Sequence, residues 1–333
     1  MAVHTTISED DARGVLGAYR LGPLRAIEGI VAGSVNSNFA LEVEDAPGTG
    51  SRRRLFLRVY EEQARAGAEH ETSMLDRLAA AGVPTPAPLR RLDGSHVSSV
   101  HGKPAALFPW RPGTMRCQAS VTQTDALRIW AALARVHVAG AGEEPYLGRF
   151  ELRDLEARLD RIEAQGGGGF PAIAASLWDA LRKAHADRSP GLPRGLIHGD
   201  LFRDQVLWGE GGEISALLDF ESACDGTFAY DLMVTVLAWC VGNDLDANLA
   251  AAVCEGYLGV RSLSDAERDG LAAEGSFAAL RFAITRITDF AMRGLSANDT
   301  AQRSPARDWR RFMMRFNTLQ RMGAEGVRRA LGL

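Results

Sequence analysis

The chain has 333 residues, enough to bury a large hydrophobic core and to form roughly two domains. Its composition is 46% apolar and 24% charged, with a formal net charge of −4, which argues against nucleic-acid binding because nucleic-acid-binding domains are strongly basic. Neither a membrane-spanning apolar run nor a signal-peptide pattern is visible, and four widely spaced cysteines favour a reducing, cytoplasmic location.

The first third of the sequence predicts a short capped helix followed mainly by strands. Ser8 precedes three acidic residues, the pattern of a helix N-terminus. Alternating and β-branched residues then predict strands, and a helix with apolar residues at helical spacing follows. The predicted strands cover residues 27–31, 38–43, 54–60, a short segment at the Gly94 turn and 103–108, and the predicted helix covers 66–81.

The third predicted strand has a clear alternation. Leu55, Leu57 and Val59 should share one face of the sheet, with Arg58 on the other face. Beyond residue 110 the strand pattern stops until Leu196, so we predict domains over residues 1–110 and 111–333.

The remaining sequence is mainly helical. Helices are predicted over residues 122–138, 151–163, 171–186, 230–241, 246–258, 264–293 and 304–322. Strands followed by helices predict an α+β fold of two lobes.

A polar loop between apolar strands carries the chemistry. It contains His198, Asp200 and Asp204, and Asp219 ends the next apolar run. Phosphoryl transfer needs a carboxylate to deprotonate the attacking hydroxyl, oxygen ligands for Mg²⁺ and a cation for the phosphates. Asp200 suits the first role and Asp219 the second, because hard cations prefer carboxylate oxygens.

The cation for the phosphates should come from the strand-rich part of the chain. Arg58 is the candidate, with Glu71 on the following helix as its ion-pair partner.

Ordinary structural roles compete with each of these interpretations. A His-Gly-Asp sequence is common by chance, Asp219 could cap a strand end, and Arg58 could be a solvated charge on an edge strand. Asp231 is expected to cap a helix and anchor the loop. His137, on an apolar helical face, is expected to be a core histidine rather than a ligand.

Three motifs together resemble the aminoglycoside phosphotransferase and choline kinase superfamily. They are His198-Gly-Asp-Leu-Phe-Arg-Asp-Gln205, Leu218-Asp-Phe220 and Ala229-Tyr-Asp-Leu232. The superfamily has the protein-kinase-like, two-lobed fold, with an antiparallel sheet and one helix in the small lobe. Segments 33–39, 200–204, 219–224 and 280–287 are most similar to homoserine kinases of the aminoglycoside-phosphotransferase-like type.

The resemblance implies ATP and Mg²⁺ as cofactors and assigns roles by position. Asp200 and His198 would be catalytic, and Asp219 and Gln205 would bind the metal, Gln205 standing where the family has asparagine. Arg58 replaces the usual lysine and keeps its charge. The implied nucleotide-binding residues are Gly33, Ser34, Asn36, Asn38, Arg58, Glu71, Phe108 and Trp110.

The basic C-terminal region favours an acceptor that carries a carboxylate as well as a hydroxyl. From residue 303 onward the sequence has eight arginines and only two acidic residues. Such arginines are often simply solvent-exposed residues on helix surfaces. The predicted acceptor-binding residues are Arg281, Arg286, Asp204 and Glu221, with the two guanidinium groups on the carboxylate.

The leading hypothesis is a kinase for the side-chain hydroxyl of L-homoserine, serving threonine synthesis. The alternatives are another small hydroxyl acceptor, such as an amino alcohol, a sugar or an aminoglycoside-like antibiotic, and a nucleotide-binding pseudokinase suggested by Gln205 and Arg58. The sequence predicts no nucleic-acid or membrane partner, and it predicts no particular oligomeric state.

Overall fold

The computed structural model describes residues 4–31, 35–45, 50–142, 148–165, 169–242, 244–292 and 308–333. The chain divides into two compact units. The first comprises Met1–Thr114 with Leu207–Leu218, and the second comprises Met115–Val206 with Asp219–Leu333. Residues 207–218 thus group with the first unit, whereas the sequence prediction placed them in the second domain. The domain limits 1–110 and 111–333 remain a proposal.

The first unit is built on a five-stranded antiparallel sheet in the order β1-β2-β3-β5-β4. Its elements are α1 (Glu9–Leu16), β1 (Leu24–Ile30), β2 (Ser37–Glu44), β3 (Arg52–Val59), α2 (Arg65–Ala80), β4 (Val97–Val100) and β5 (Lys103–Pro109). Strand β3 is central in this sheet, so the interpretation of Arg58 as an edge-strand residue is wrong.

The predicted alternation of β3 is confirmed. Leu55, Leu57 and Val59 are fully buried in one core cluster, together with apolar residues of β2 and α1. Helix α1 begins as predicted, because Ser8 and Asp11 form a reciprocal capping box. This face of the sheet is therefore the core face, and the opposite face lies outside this core cluster.

The short strand predicted at the Gly94 turn is β4, which begins after the turn, at Val97. A hairpin joins β4 to β5 through His101 and Gly102, both with positive φ. Two successive residues of positive φ give the turn geometry that matches the twist of a two-residue hairpin.

The second unit is mainly helical, as predicted. Its helices are α3 (Gln123–Ala139), α4 (Leu152–Ala164), α5 (Phe170–Ala186), α6 (Phe228–Trp239), α7 (Ala247–Leu258), α8 (Asp265–Arg286) and α9 (Trp309–Ala330). Its strands are β6 (Arg194–Ile197) and β9 (Cys224–Thr227), whereas β7 (Val206–Trp208) and β8 (Ile214–Leu217) lie almost entirely in the segment that groups with the first unit. Together the two units confirm the α+β fold class.

Two helix ends differ from the sequence prediction. Helix α8 ends at Arg286 and continues as a π-helical turn over Ile287–Ala291, a feature that hydrophobic periodicity does not reveal. Helix α9 runs to Ala330 through an interruption at Gly323, whose φ is 63°. Within the described residues, no helix is both long and apolar enough to span a bilayer.

Candidate active site

Strand pairing in the second unit explains how the two predicted aspartates come to the same end of a small sheet. Strand β6 pairs with β9 in antiparallel fashion, with Ile197 opposite Cys224. The loop that follows β6 therefore lies beside the residues that precede β9. These two segments contain Asp200 and Asp219.

Gly199 is required where these two segments meet. Its φ is 74°, and a Cβ atom at this position would lie 2.8 Å from the carbonyl oxygen of Ser222. Both the backbone conformation and the close approach exclude other side chains. The His-Gly-Asp sequence is thus explained by backbone geometry.

Asp231 anchors the backbone of the loop, as predicted. Its fully buried carboxylate accepts hydrogen bonds from the backbone N–H of His198 and of Gly199, both at 2.7 Å. The predicted cap role is wrong, since α6 begins three residues earlier, at Phe228.

His137 is a satisfied core histidine, as predicted. Its Nε2 lies 3.0 Å from the Asp231 carboxylate, and its Nδ1 lies 2.6 Å from the Tyr257 hydroxyl. Burial lowers the pKa of His137, which favours the neutral ring. Burial alone would raise the pKa of Asp231, but the hydrogen bond from His137 helps to lower it, which favours the ionised carboxylate that holds the loop.

The end of helix α6 holds the loop at further points. The Trp239 indole N–H donates to the carbonyl of Leu201 at 2.9 Å, and the Arg203 guanidinium donates to the carbonyl of Ala238. The last carbonyls of a helix lack partners within the helix and readily accept such donors. The loop is therefore fixed to α6 from its first residue to its middle.

Asp200 is the member of this loop with an accessible carboxylate. Its side chain is 30% exposed, and Arg281 Nη1 donates to its Oδ1 at 3.3 Å. Burial raises the pKa of Asp200, while the positive charges of Arg281 and Arg286 lower it and Asp219 raises it further, for a net upward shift. A partly exposed carboxylate with a raised pKa has the properties of a general base.

Asp219 has two unusual properties. Its φ is 61°, and His101 is the other non-glycine residue of positive φ in the described part of the chain. Its Oδ1 is buried without a hydrogen-bond partner. An orphaned carboxylate oxygen on a strained backbone is a feature of functional sites, and it fits a cation ligand.

Gln205 ends a short 3₁₀ turn, Arg203–Gln205, in the same loop and is half-buried. Its amide oxygen is a second possible metal ligand. The described residues contain no group of three or more His, Cys, Asp or Glu suited to a metal ion, so any cation here would need further ligands from substrate or water.

The other predicted residues of this unit differ in how exposed they are. The side chain of His198 is fully buried against Phe220, with ring centres 4.5 Å apart, so it cannot touch a substrate in this structure. Asp204 is exposed and Glu221 is half-buried. His198 is therefore better regarded as a residue that positions the loop.

The two predicted carboxylate-binding arginines lie in different surroundings. Arg281 is 3% exposed and pairs with Asp200. The Arg286 guanidinium lies 4.2 Å from the ring centre of Phe312 and 4.9 Å from that of Phe282, and burial lowers its pKa to about 10.

Most of the described C-terminal arginines are exposed or in surface ion pairs, such as Arg328 with Asp269. For these the solvation alternative is correct, and Arg303 and Arg307 lie outside the described residues. Arg315 is the exception, since it is buried and donates to the carbonyl of Val241. Sequence reasoning did not single it out.

In the first unit, the predicted ion pair between Arg58 and Glu71 is present, with Arg58 Nη1 3.1 Å from Glu71 Oε1. Glu71 also accepts hydrogen bonds from the Tyr60 hydroxyl and the Gln63 amide, both at 3.3 Å. Sequence reasoning missed these two donors, although their spacing along the chain after Arg58 could have indicated them. Arg58 is thereby held on the face of the sheet opposite the core.

The same face carries the other predicted nucleotide residues. Asn38 lies directly opposite Arg58 in the strand register, and Phe108 lies directly opposite Phe56, so these pairs share a face. The rings of Phe56 and Phe108 are 6.2 Å apart. Phe56 was not singled out from the sequence.

Trp110 continues this face, with its ring 3.8 Å from the Arg54 guanidinium. The Oδ1 of Asn38 is buried without a hydrogen-bond partner, and Asn36 accepts from the Glu61 N–H at 3.2 Å. Gly33 and Ser34 lie outside the described residues.

Residues 26–272 match the model of the phosphotransferase enzyme family. Homoserine kinase of Methylocella silvestris is 36% identical over 303 residues, covering 87% of this chain and 88% of that enzyme. Homoserine kinase of Caulobacter sp. strain K31 is 36% identical over 297 residues, covering 87% and 89%. The chain belongs to the phosphotransferase enzyme family.

Solved structures of other phosphotransferases share the fold of this family member. A complex of amicoumacin kinase with AMP-PNP and Ca²⁺ has a TM-score of 0.69 at 15% identity, covering 96% of this chain and 95% of that one. A microcompartment-associated aminopropanol kinase has a TM-score of 0.63 at 19% identity, covering 95% and 97%. The prediction of a two-lobed, protein-kinase-like α+β fold is confirmed.

Proposed function

We propose that this phosphotransferase is an ATP-dependent homoserine kinase. It transfers the terminal phosphoryl group of ATP to the side-chain hydroxyl of L-homoserine and forms O-phospho-L-homoserine, a step of threonine synthesis. The observation that carries the proposal is an accessible carboxylate, Asp200, near the positive charge of Arg286. A hydroxyl acceptor that also bears a carboxylate suits this combination.

Asp200 acts as the general base in this proposal. Arg281 occupies its Oδ1, so Oδ2 is the oxygen that accepts the proton of the acceptor hydroxyl. Because phosphoryl transfer requires little covalent chemistry from the protein, orientation of that hydroxyl is the larger contribution. The anchoring of the loop to Asp231 and Trp239 keeps the base in place.

Mg²⁺ is the proposed metal, held by Asp219 and by the amide oxygen of Gln205. The orphaned Oδ1 of Asp219 supports this assignment. When bound, the ion neutralises charge on the transferring phosphate. Glutamine has a longer side chain than asparagine, so its amide oxygen extends one methylene further from the backbone than the oxygen of the usual asparagine.

ATP binding is assigned to the non-core face of the first unit's sheet. Arg58, fixed by Glu71, supplies the cation for phosphate oxygens, and the buried Oδ1 of Asn38 supports a polar contact beside it. The adenine ring of ATP would pack on the aromatic side chains of Phe56, Phe108 and Trp110. The roles of Gly33, Ser34 and Asn36 in the nucleotide loop remain part of the proposal.

Arg286 is the proposed ligand of the acceptor carboxylate. Its guanidinium is stacked on aromatic rings, and burial lowers its pKa. A bound carboxylate would therefore stabilise the charged form of this guanidinium. Asp204 and Glu221 are proposed for the acceptor amino group. The described cysteines, 117, 224 and 240, are free, which supports the proposed cytoplasmic location.

A panel of acceptors with ATP and Mg²⁺ tests the function. Purified protein should release ADP with L-homoserine far faster than with 3-aminopropan-1-ol, choline, a hexose or kanamycin. Faster turnover of another acceptor would replace homoserine by that compound and keep the kinase. If ATP binds but no acceptor is phosphorylated, and Asp200→Asn changes nothing, the pseudokinase alternative is correct.

A further inference from the structure

The environment of Arg281 differs from that expected of a substrate-binding arginine. Its guanidinium carbon lies 3.9 Å from the ring centre of Phe150 and 3.8 Å from that of Phe282. The residue is 3% exposed, although it lies on a helix, α8, with a long side chain. Two aromatic contacts at this distance remove most of the freedom that a guanidinium usually has.

The same guanidinium makes its ion pair with Asp200. The Arg281 side chain is 4% exposed, whereas that of Asp200 is 30% exposed. The accessible member of the pair is therefore the carboxylate, and the fixed member is the arginine. An acceptor can reach the carboxylate while the arginine stays behind it.

Arg286, one and a half turns further along the chain, has the opposite character. It is half-buried and stacks on Phe312, Phe282 and Phe202 at 4.2, 4.9 and 5.4 Å. The two arginines of the Leu280–Ile287 segment thus have separate environments.

We propose that Arg281 is a positioning residue for Asp200 and does not bind the acceptor. It fixes Oδ1 by an ion pair and so directs Oδ2 toward the acceptor hydroxyl. This inference rests on the proposed kinase function and deepens it, because it assigns recognition of the acceptor carboxylate to Arg286 and leaves Arg281 to the base.

The charged groups around Asp200 come from three segments. Arg281 and Arg286 belong to α8, Asp219 precedes the Phe220–Ser222 turn, and His198 belongs to the same loop. Removal of the Arg281 charge takes away the positive charge that lowers the pKa of Asp200 most, so Asp200 becomes harder to ionise. The acid limb of the kcat–pH profile, where kcat falls as Asp200 becomes protonated, should then move to higher pH.

The test uses the full-length protein and compares Arg281→Gln with Arg286→Gln. With Arg281→Gln, kcat should fall about 100-fold, the cost of a misplaced reacting group, while the KM for homoserine stays within about threefold. Its acid limb should rise by about 1 pH unit. Arg286→Gln should raise the KM for homoserine about 10- to 100-fold.

A carboxylate-free acceptor separates the two roles. Arg281→Gln should slow homoserine and 3-aminopropan-1-ol by the same factor, and Arg281→Lys should restore part of the rate. If Arg281→Gln instead raises the KM for homoserine and leaves turnover of 3-aminopropan-1-ol unchanged, Arg281 binds the carboxylate and the proposal fails.

Arg188→Gln is the matched control. Arg188 also forms a partly buried ion pair with a residue of α8, through Nε and Nη2 to Glu274 at 3.0 and 2.9 Å, and it stacks on Phe277 at 4.3 Å. It should change thermal stability without moving the acid limb. If Arg188→Gln reproduces the kinetic changes, or if both Arg281 variants unfold while Arg188→Gln folds, Arg281 is only structural and the proposal is overturned.

Failure of the Arg281 proposal can be distinguished from failure of the proposed kinase function. A wild type that rejects homoserine but phosphorylates another acceptor disproves only the proposed acceptor, and the same variants are then assayed with that compound. A wild type that phosphorylates no acceptor overturns both, because there is then no base to position.

Discussion

The two arginine–carboxylate pairs, Arg58–Glu71 in the first unit and Arg281–Asp200 in the second, have similar lengths of 3.1 and 3.3 Å. Their surroundings differ. Glu71 accepts from Arg58, Tyr60 and Gln63 and is buried, whereas the Asp200 carboxylate accepts from Arg281 and is 30% exposed.

The difference fits the roles proposed for the two pairs. Glu71 accepts three hydrogen bonds and is buried, which suits a carboxylate that only holds Arg58 in place. Asp200 is partly exposed, which suits a carboxylate that accepts a proton from a substrate while Arg281 holds it. In the proposed mechanism, the same kind of ion pair therefore supports a cation in the first unit and a base in the second.

Asp200→Asn should have the largest effect. Loss of a general base should lower kcat by about 10²- to 10⁴-fold, while ATP affinity stays near that of the wild type. Because the pKa of Asp200 is raised by burial, wild-type kcat should fall on acidification at a pH above the ordinary aspartate range. Steady-state ADP release and calorimetric ATP binding provide the measurements; an unchanged kcat would exclude Asp200 as the base.

Asp219 belongs to neither pair, and its Oδ1 without a hydrogen-bond partner should bind a metal. Asp219→Asn should raise the Mg²⁺ concentration for half-maximal rate about 100-fold, with partial recovery at high Mg²⁺ or Mn²⁺. Gln205→Asn is the companion variant, and its expected change is smaller. A metal requirement that is the same in Asp219→Asn and the wild type would disprove the assignment.

Arg58→Gln tests the other pair. It should raise the KM for ATP about tenfold, the value of one charge-assisted hydrogen bond, with the KM for homoserine unchanged. Glu71→Gln should act in the same direction, because it releases the arginine. Arg53→Gln, an exposed position on the same strand, is the control; an equal effect there would mean that general charge, not position, matters.

The smallest effect concerns a third pair, Lys103 with Glu61, on the core-face side of the sheet. Glu61 also accepts from the buried Ser37, which in turn accepts from the backbone N–H of His4 and Thr5 at 2.8 and 2.9 Å. Lys103→Met should lower the free energy of unfolding by about 1 kcal/mol. Lys183→Met, which removes an exposed pair with Asp187, should cost about 0.3 kcal/mol.

The Lys103 pair also has a pH signature. Burial alone would raise the pKa of Glu61, but hydrogen bonds from Lys103 and Ser37 lower it from 4.5 to about 2. The pair therefore stabilises the fold above pH 4.5, and this contribution is lost as pH falls toward 2. Urea unfolding across this range should show the wild type and Lys103→Met converging; a constant difference would show that the pair does not titrate.

Local sequence patterns predicted those structural features that depend on residues close together in the chain. The alternation of β3, the capping box at Ser8 and the Arg58–Glu71 pair follow from periodicity and from positions 13 residues apart. The resemblance of the His198–Gln205 loop to a known superfamily indicated the family before any geometry was available.

Contacts between distant segments could not be predicted in the same way. The partner of β6 is β9 and not the next strand, and Arg281 meets Asp200 across 81 residues. Burial of the His198 side chain also depends on packing against Phe220, which no local pattern encodes. A one-dimensional pattern assigns residue types to roles but leaves their distances undetermined.

The left-handed backbone of Asp219 has a consequence for selection. A non-glycine residue in this conformation costs about 1 kcal/mol or more, and its unpaired buried oxygen adds to that cost. Asp219→Gly would remove both penalties together with the carboxylate proposed to bind the metal. Under that proposal, thermostability and turnover oppose each other at this position, and a screen for robust folding alone should favour an inactive enzyme.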